Sequence, residues 1–205
     1  MDTTFSTTLL RILDEAKKEF MAKGYQKASL RNIVKQAGLT TGAFYGYFKN
    51  KEQLFDALVG KQYNDILNMY NDRLNQFFNL TPEEQMNNMV NITYECMIQL
   101  KDYMYDNYDA VKLILCCSQG TKYDDLVHRM ANMDSEATRD FAKSIEIVNS
   151  EINVVNPVLE HILTSGMFAG FFELIVHDVP REDADDYINQ LLEFYAAGWG
   201  KIMGF

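Results

Sequence analysis

Apolar side chains recur every three or four residues along almost the whole chain, the rhythm of helices that each bury one face. The pattern predicts an all-α protein of about nine helices. Leu9, Ile12, Leu13, Ala16 and Phe20 form the apolar face of a first helix that stops at Gly24, with Lys17, Lys18 and Lys23 towards its negative C-terminal end. Ser29 caps a second, short helix whose inner face is Leu30, Ile33, Val34 and Ala37, and Gly38 ends it, because glycine takes the left-handed conformation of a helix stop without steric cost. Thr40 caps the next helix. There Phe44 and Phe48 are one turn apart and face inward, which turns Thr40, Thr41, Gly42 and Tyr45 outward. Asn50 with Gln53 reads as a capping box opening a long helix through Leu54, Phe55, Leu58, Ile66, Met69, Tyr70, Leu74 and Phe77, interrupted only by Gly60 and ending near Leu80.

Beyond it, Thr81-Pro82-Glu83-Glu84 combines a cap, a first-turn proline and a closing glutamate. The helix it starts carries Met86, Met89, Val90, Thr93, Met97, Leu100 and Met104 on one face. The nearly all-apolar run from Val111 to Cys117 must be buried, and Gly120 closes it. Tyr123, Leu126, Val127, Met130, Met133, Phe141, Ile145 and Val148 continue at helical spacing. Asn156-Pro157 opens a helix with Leu159, Ile162, Leu163, Met167, Phe171, Leu174 and Ile175, and an acid-proline turn at Asp178 to Pro180 leads into a last helix over 181–203.

Two short helices joined by a glycine turn make a helix-turn-helix, whose second helix has the right width for a DNA major groove. Ser29, Ile33, Val34, Ala37-Gly38-Leu39-Thr40, Gly42, Phe44-Tyr45, Tyr47-Phe48, Lys51 and Leu54 stand at the spacing of the tetracycline-repressor (TetR, AcrR-like) family of bacterial regulators, which the first quarter of the chain closely resembles. The resemblance implies a three-helix DNA-binding domain over residues 1–52 and a helical ligand-binding and dimerisation domain over 53–205. It also implies a homodimeric repressor that leaves a palindromic double-stranded DNA operator when a small, largely apolar or aromatic effector binds the second domain. Lys27, Ser29, Arg31, Thr40, Thr41, Gly42, Ala43, Tyr45, Tyr47, Lys49 and Lys51 are then the DNA-contact positions. Ser29 replaces a commoner threonine, Tyr47 a common histidine and Gly46 a larger side chain, so the end of the recognition helix is expected to be looser than usual.

Charge distribution sharpens this reading. The net charge is −10, yet residues 1–55 hold 9 Lys and Arg against 5 Asp and Glu, while the remainder holds 10 against 24. Positive charge lies on the segment with the groove-reading motif, and the acidic remainder discourages random adhesion to DNA.

A ligand site is less legible. Eleven Met and many aromatic residues give a soft lining suited to varied apolar ligands, although an ordinary core has the same stripes. The expected lining is Met69, Met89, Thr93, Tyr94, Met97, Tyr103, Cys117, Met130, Phe168 and Phe172, and Glu95, Asp102, Asp106 and Glu173 would suit a cationic aromatic compound. The last two helices are apolar enough for a four-helix interface with a twofold mate, through Leu159, Ile162, Gly166, Gly170, Leu174, Ile188, Leu191, Tyr195 and Trp199; Gly166 and Gly170 would let a second helix approach closely.

Other classes find little support. His128, His161 and His177 show no metal-ligand spacing, and there is no nucleophile elbow or phosphate loop, so neither an enzyme nor a cofactor is expected. Cys96, Cys116 and Cys117 form no disulfide framework. A basic apolar leader is missing from the N-terminus and no long charge-free apolar run occurs, so a cytoplasmic protein without a membrane span is expected. A DNA-binding adaptor controlled by a protein partner remains the alternative to a ligand sensor.

Overall fold

The computed structural model describes residues 3–146 and 155–204. Among them are nine helices and no strand: α1 (Thr3–Lys27), α2 (Leu30–Gln36), α3 (Thr41–Tyr45), α4 (Lys51–Phe78), α5 (Pro82–Asp106), α6 (Tyr108–Cys117), α7 (Leu126–Glu146), α8 (Pro157–Val176) and α9 (Arg181–Met203). Val148 and the side chain of Ile145, expected on the α7 face, lie outside the described residues.

The helices form two compact units, Met1–Asp65 with Asn107–Asp124, and Ile66–Asp106 with Asp125–Phe205. This division departs from the boundary expected at residues 52 and 53, for two reasons. Leu54, Phe55, Val59 and Tyr63 at the start of α4 are buried, and Phe55 packs edge-on against Phe20 at 5.0 Å and Tyr25 at 5.3 Å. In addition, α6 packs on α1 and buries Val111, Leu113, Ile114 and Cys117, so the apolar run from Val111 belongs with the helix-turn-helix. The segment after α6 is tied down as well. The Tyr123 hydroxyl donates to Asp56, Lys122 pairs with the same carboxylate at 2.9 Å, and a Cβ on Gly60 would stand 2.9 Å from the Tyr123 hydroxyl. Gly60, an apparent interruption of the long helix, is the space in which that hydroxyl sits.

Two polar side chains, buried Glu19 and half-buried Lys51, hold the first unit. The Glu19 carboxylate accepts from the Ser29 backbone N–H at 3.0 Å, from Asn32 Nδ2 at 2.6 Å and from Lys23 Nζ at 2.7 Å, which staples α1 to the start of α2. Those donors, Lys23 first, hold its pKa below the usual value. Lys51 Nζ donates to the carbonyls of Tyr25 (2.7 Å), Ala28 (3.2 Å) and Gln26 (3.3 Å), closing the end of α1 after the chain breaks helical geometry at Gly24, φ 69°.

In the second unit α7 packs on α8, α8 on α9, and α5 on both α7 and α9. The core is Phe168, Phe171, Phe172, Leu174 and Ile175 of α8 with Met97, Leu100, Met130 and Ile188. Helix α8 is long and apolar enough to cross a membrane by length and composition alone, but this core burial accounts for its hydropathy. The expected cap at Thr81 is present, Glu84 receiving the Thr81 N–H at 2.9 Å and returning its own N–H to Thr81 Oγ1 at 3.3 Å. Buried Lys101 pairs with Asp185 at 2.5 Å, and Arg181 bridges Asp106 at 2.6 Å and Asp102 at 2.9 Å, clamping α5 to α9.

Removing the Glu19 carboxylate in Glu19→Ala leaves a buried N–H and amide without acceptors and is expected to cost about 2 kcal/mol, a fall of roughly 6 °C in melting temperature. Because the folded pKa of Glu19 lies below its unfolded value, this contribution is complete at neutral pH and lost as the pH falls below about 4. Thermal melts of both proteins between pH 7 and 3.5 check this through convergence of the two curves at the acid end.

Candidate nucleic-acid interface

The second helix of the motif has only five residues, too few to be stable alone, so caps and burial must hold it. Thr40 Oγ1 accepts the Ala43 N–H at 3.2 Å, and Phe44 is fully buried against Phe48 at 5.8 Å. Ahead of it, Ser29 caps α2 by accepting the Asn32 N–H at 3.3 Å, and Gly38, φ 70°, makes the turn that lets the Leu39 N–H reach the Val34 carbonyl at 3.0 Å. Beyond Tyr45 the chain tightens, with the Gly46 N–H on Ala43 O and the Tyr47 N–H on Phe44 O. The regular helix therefore ends at Tyr45, short of the span to Phe48 drawn from sequence, and the reason is the three-residue hydrogen bonding at Gly46.

With Phe44 inward, Thr40, Thr41, Gly42, Ala43 and Tyr45 are all exposed. Tyr45 keeps 55% of its surface although its ring touches Phe44 edge-on, so a large amphipathic side chain stands out from a firmly seated base. Nothing lies within 4 Å of the place where Gly42 would carry a Cβ, which leaves the helix backbone open to close approach. Lys27, Arg31 and Lys49 are exposed around this face.

Other expected contacts are placed differently. Lys51 spends its three donors on carbonyls and lies 4.6 Å from the Tyr25 ring, so its role is structural. Ser29 is half-buried with its hydroxyl occupied as a cap, and Tyr47 is half-buried.

The second unit contains a cavity of about 280 Å³, walled by α4, α5, α7, α8 and α9. Met89, Thr93 and Met97 line it as expected. Met69 and Tyr94 do not, because each lies one residue, about 100° of helix rotation, from the lining residues Tyr70 and Thr93. Met130, Phe168 and Phe172 are sealed in the core, Tyr103 lies off the cavity wall, and Cys117 belongs to the first unit. The expected acids are absent from the wall as well. Glu95 pairs with Arg73 at 3.4 Å, Asp102 and Asp106 with Arg181, and Glu173 with His177 at 2.9 Å. In their place stands Asp134, which sequence reading missed. It accepts from the buried Tyr70 hydroxyl, and desolvation raises its pKa above the ordinary aspartate value. The same burial raises the Cys96 thiol in the wall to about 12.

The residues expected at a twofold interface divide. Leu174 and Ile188 are fully buried inside the unit, while Tyr195 and Trp199 line the cavity. Gly170 is covered by Leu191 and Gly166 by the Tyr195 hydroxyl, so the helix that approaches the glycines is α9 of the same chain. Leu159 and Ile162 stay exposed, joined by Val158 and Phe194.

Residues 12–58 match the tetR family of bacterial regulatory proteins. The TetC protein of transposon Tn10 from Escherichia coli is 41% identical over 58 residues, 28% of this chain and 29% of that protein, so the match spans less than a third of the relative's length. Among solved structures, NalD, the secondary repressor of the MexAB-OprM multidrug efflux pump in Pseudomonas aeruginosa, superposes with a TM-score of 0.56 at 19% identity, covering 96% of this chain and 98% of NalD. FadR of Bacillus subtilis, solved with stearoyl-CoA, gives 0.54 at 16% identity, covering 92% and 98%. At such identities these two establish the shared fold. Residues 12–58 thus carry the helix-turn-helix that characterises the tetR family of bacterial regulatory proteins, within an all-helical fold shared with NalD and FadR.

Proposed function

We propose that the protein is a homodimeric repressor that holds a palindromic operator through α3 and releases it when a small, largely apolar molecule enters the cavity of the second unit. The observation that carries the reading is the outward face of α3, where Thr40, Thr41, Gly42, Ala43 and Tyr45 stand exposed over a buried Phe44, flanked by Lys27, Arg31 and Lys49. Hydroxyls and a tyrosine suit base edges and phosphates, and the free lysines and arginine set register by contacting the backbone. Such a role belongs in the cytoplasm, where the DNA is.

Two copies are needed because one short helix offers too little base contact for a specific site. The exposed apolar strip of Val158, Leu159 and Ile162 on α8 with Phe194 on α9 supports a self-complementary four-helix contact. The link to ligand is α4, one continuous helix that contributes Leu54, Phe55, Val59 and Tyr63 to the first unit and Tyr70, Arg73, Leu74 and Phe77 to the cavity wall. A ligand that shifts those wall residues acts on the helix whose first turns belong to the reading head, and the heads leave the half-site spacing of about 34 Å.

Tyr45→Ala is expected to weaken operator binding at least about tenfold in a gel-shift titration with dimerisation unchanged; undiminished binding overturns the assignment of α3. Phe194→Glu, which buries a charge in the proposed interface, is expected to give a single-subunit mass by analytical ultracentrifugation and to abolish specific binding, and a dimer of unchanged stability removes this strip from the interface.

A further inference from the structure

We infer that the effector is an organic cation with an aromatic or alkyl body, its charge seated on the Asp134 carboxylate, an inference that rests on the cavity being the effector site. Apart from Arg73 and two threonines the rest of the wall is mainly apolar and aromatic, with Phe77 and Phe141 in contact at 5.4 Å and Tyr70, Tyr195 and Trp199 around them. Rings of this kind attract a quaternary or protonated amine through their negative faces.

The charge count decides the sign of the ligand. Asp134 is on α7 amid apolar and small wall residues, Ala137, Thr138 and Phe141 following at helical spacing. No cation among the described residues pairs with it; its hydrogen-bond donors are the neutral hydroxyls of Tyr70 and Thr164, and the nearby Glu160 carboxylate works against its ionisation. Desolvation is the largest influence on Asp134, as expected for a carboxyl with no compensating charge. The buried charges among the described residues are matched, Glu19 by Lys23, Lys101 by Asp185 and Glu160 by Arg139 at 3.4 Å, whereas the half-buried Asp134 has no such partner. Arg73, the cation in the wall, already holds Glu95 at 3.4 Å and Gln76 at 3.3 Å. An anionic ligand would meet a repelling Asp134 and an Arg73 already shared with Glu95, and a neutral ligand would leave Asp134 with hydroxyl donors and no opposite charge. A cation supplies the missing partner.

The pH dependence follows from the groups facing the site. Tyr70 and Arg73 on α4, Cys96 on α5, Asp134 on α7, Glu160 on α8 and Tyr195 on α9 surround it, with Arg139 beyond Glu160. Burial raises the tyrosines and Cys96 and also raises the carboxyls of Asp134 and Glu160, the latter with Arg139 and His161 acting against the rise. A permanent cation binds the ionised carboxylate, so its affinity falls as the pH is lowered and Asp134 takes up its proton.

Trp199, the one tryptophan, stands in the wall and reports binding by its fluorescence. Full-length wild type, Asp134→Asn and Tyr70→Phe are titrated with benzyltrimethylammonium, its neutral isostere neopentylbenzene and the anion 4-phenylbutyrate. The expected result is a preference of at least about tenfold for the cation in wild type, lost in Asp134→Asn and kept in Tyr70→Phe. If Asp134→Asn does not fold, the wild-type pH profile replaces it, rising for the cation and flat for the isostere. Equal affinity for all three probes, or preference for the anion, overturns the cation assignment and leaves the cavity as an effector site of other chemistry. A Trp199 signal unmoved by every probe to millimolar concentration overturns both.

Discussion

The reading head depends on the burial of a single ring. A five-residue helix forms too few internal hydrogen bonds to persist, so α3 exists because Phe44 is locked in the core and Thr40 caps its start. That seat fixes the helix in rotation as well as in place. Everything exposed on α3, from Thr40 to Tyr45, is exposed because Phe44 is not. The surrounding bonds serve the same purpose: Glu19 fastens the start of α2, Lys51 closes the end of α1, and the α6 segment with Tyr123 and Asp56 braces the start of α4.

Among the described residues, charges withdrawn from water fall into those with an opposite charge beside them and one, the half-buried Asp134, without. Glu19, Lys101 and Glu160 each face an opposite charge, and a paired buried ion contributes geometry more than net stability. Asp134 lacks such a partner and lines a cavity. A desolvated carboxyl that folding does not answer is a site at which a ligand gains the most, and it turns an apolar cavity into one with a preferred sign of charge.

The helices and the motif were legible because their signals are local. Caps at Ser29, Thr40, Thr81 and Asn156, the turn at Gly38, and Phe44 against Phe48 each lie within a few residues of what they control. The cavity was not, since its wall depends on which face of each helix meets which neighbour, and an error of one residue turns a side chain by about 100°, as with Met69 beside Tyr70. Asp134 left a trace, an acid on an otherwise apolar stripe. Lys51 misled for the opposite reason, because a conspicuous cation next to a DNA-reading motif was satisfied by carbonyls far away in sequence. Gly166 and Gly170 did announce a close helix neighbour, but the spacing does not distinguish α9 of the same chain from a second copy.

The central claim is that two heads grip one face of the duplex a full turn apart. Hydroxyl-radical footprinting of the protein on its own promoter region tests it most directly. The account predicts two protected patches, related by a palindrome and centred about 34 Å, or 10 base pairs, apart or a whole multiple of that, both fading together as ligand is added. A single isolated patch, or uniform protection indifferent to sequence, would contradict it.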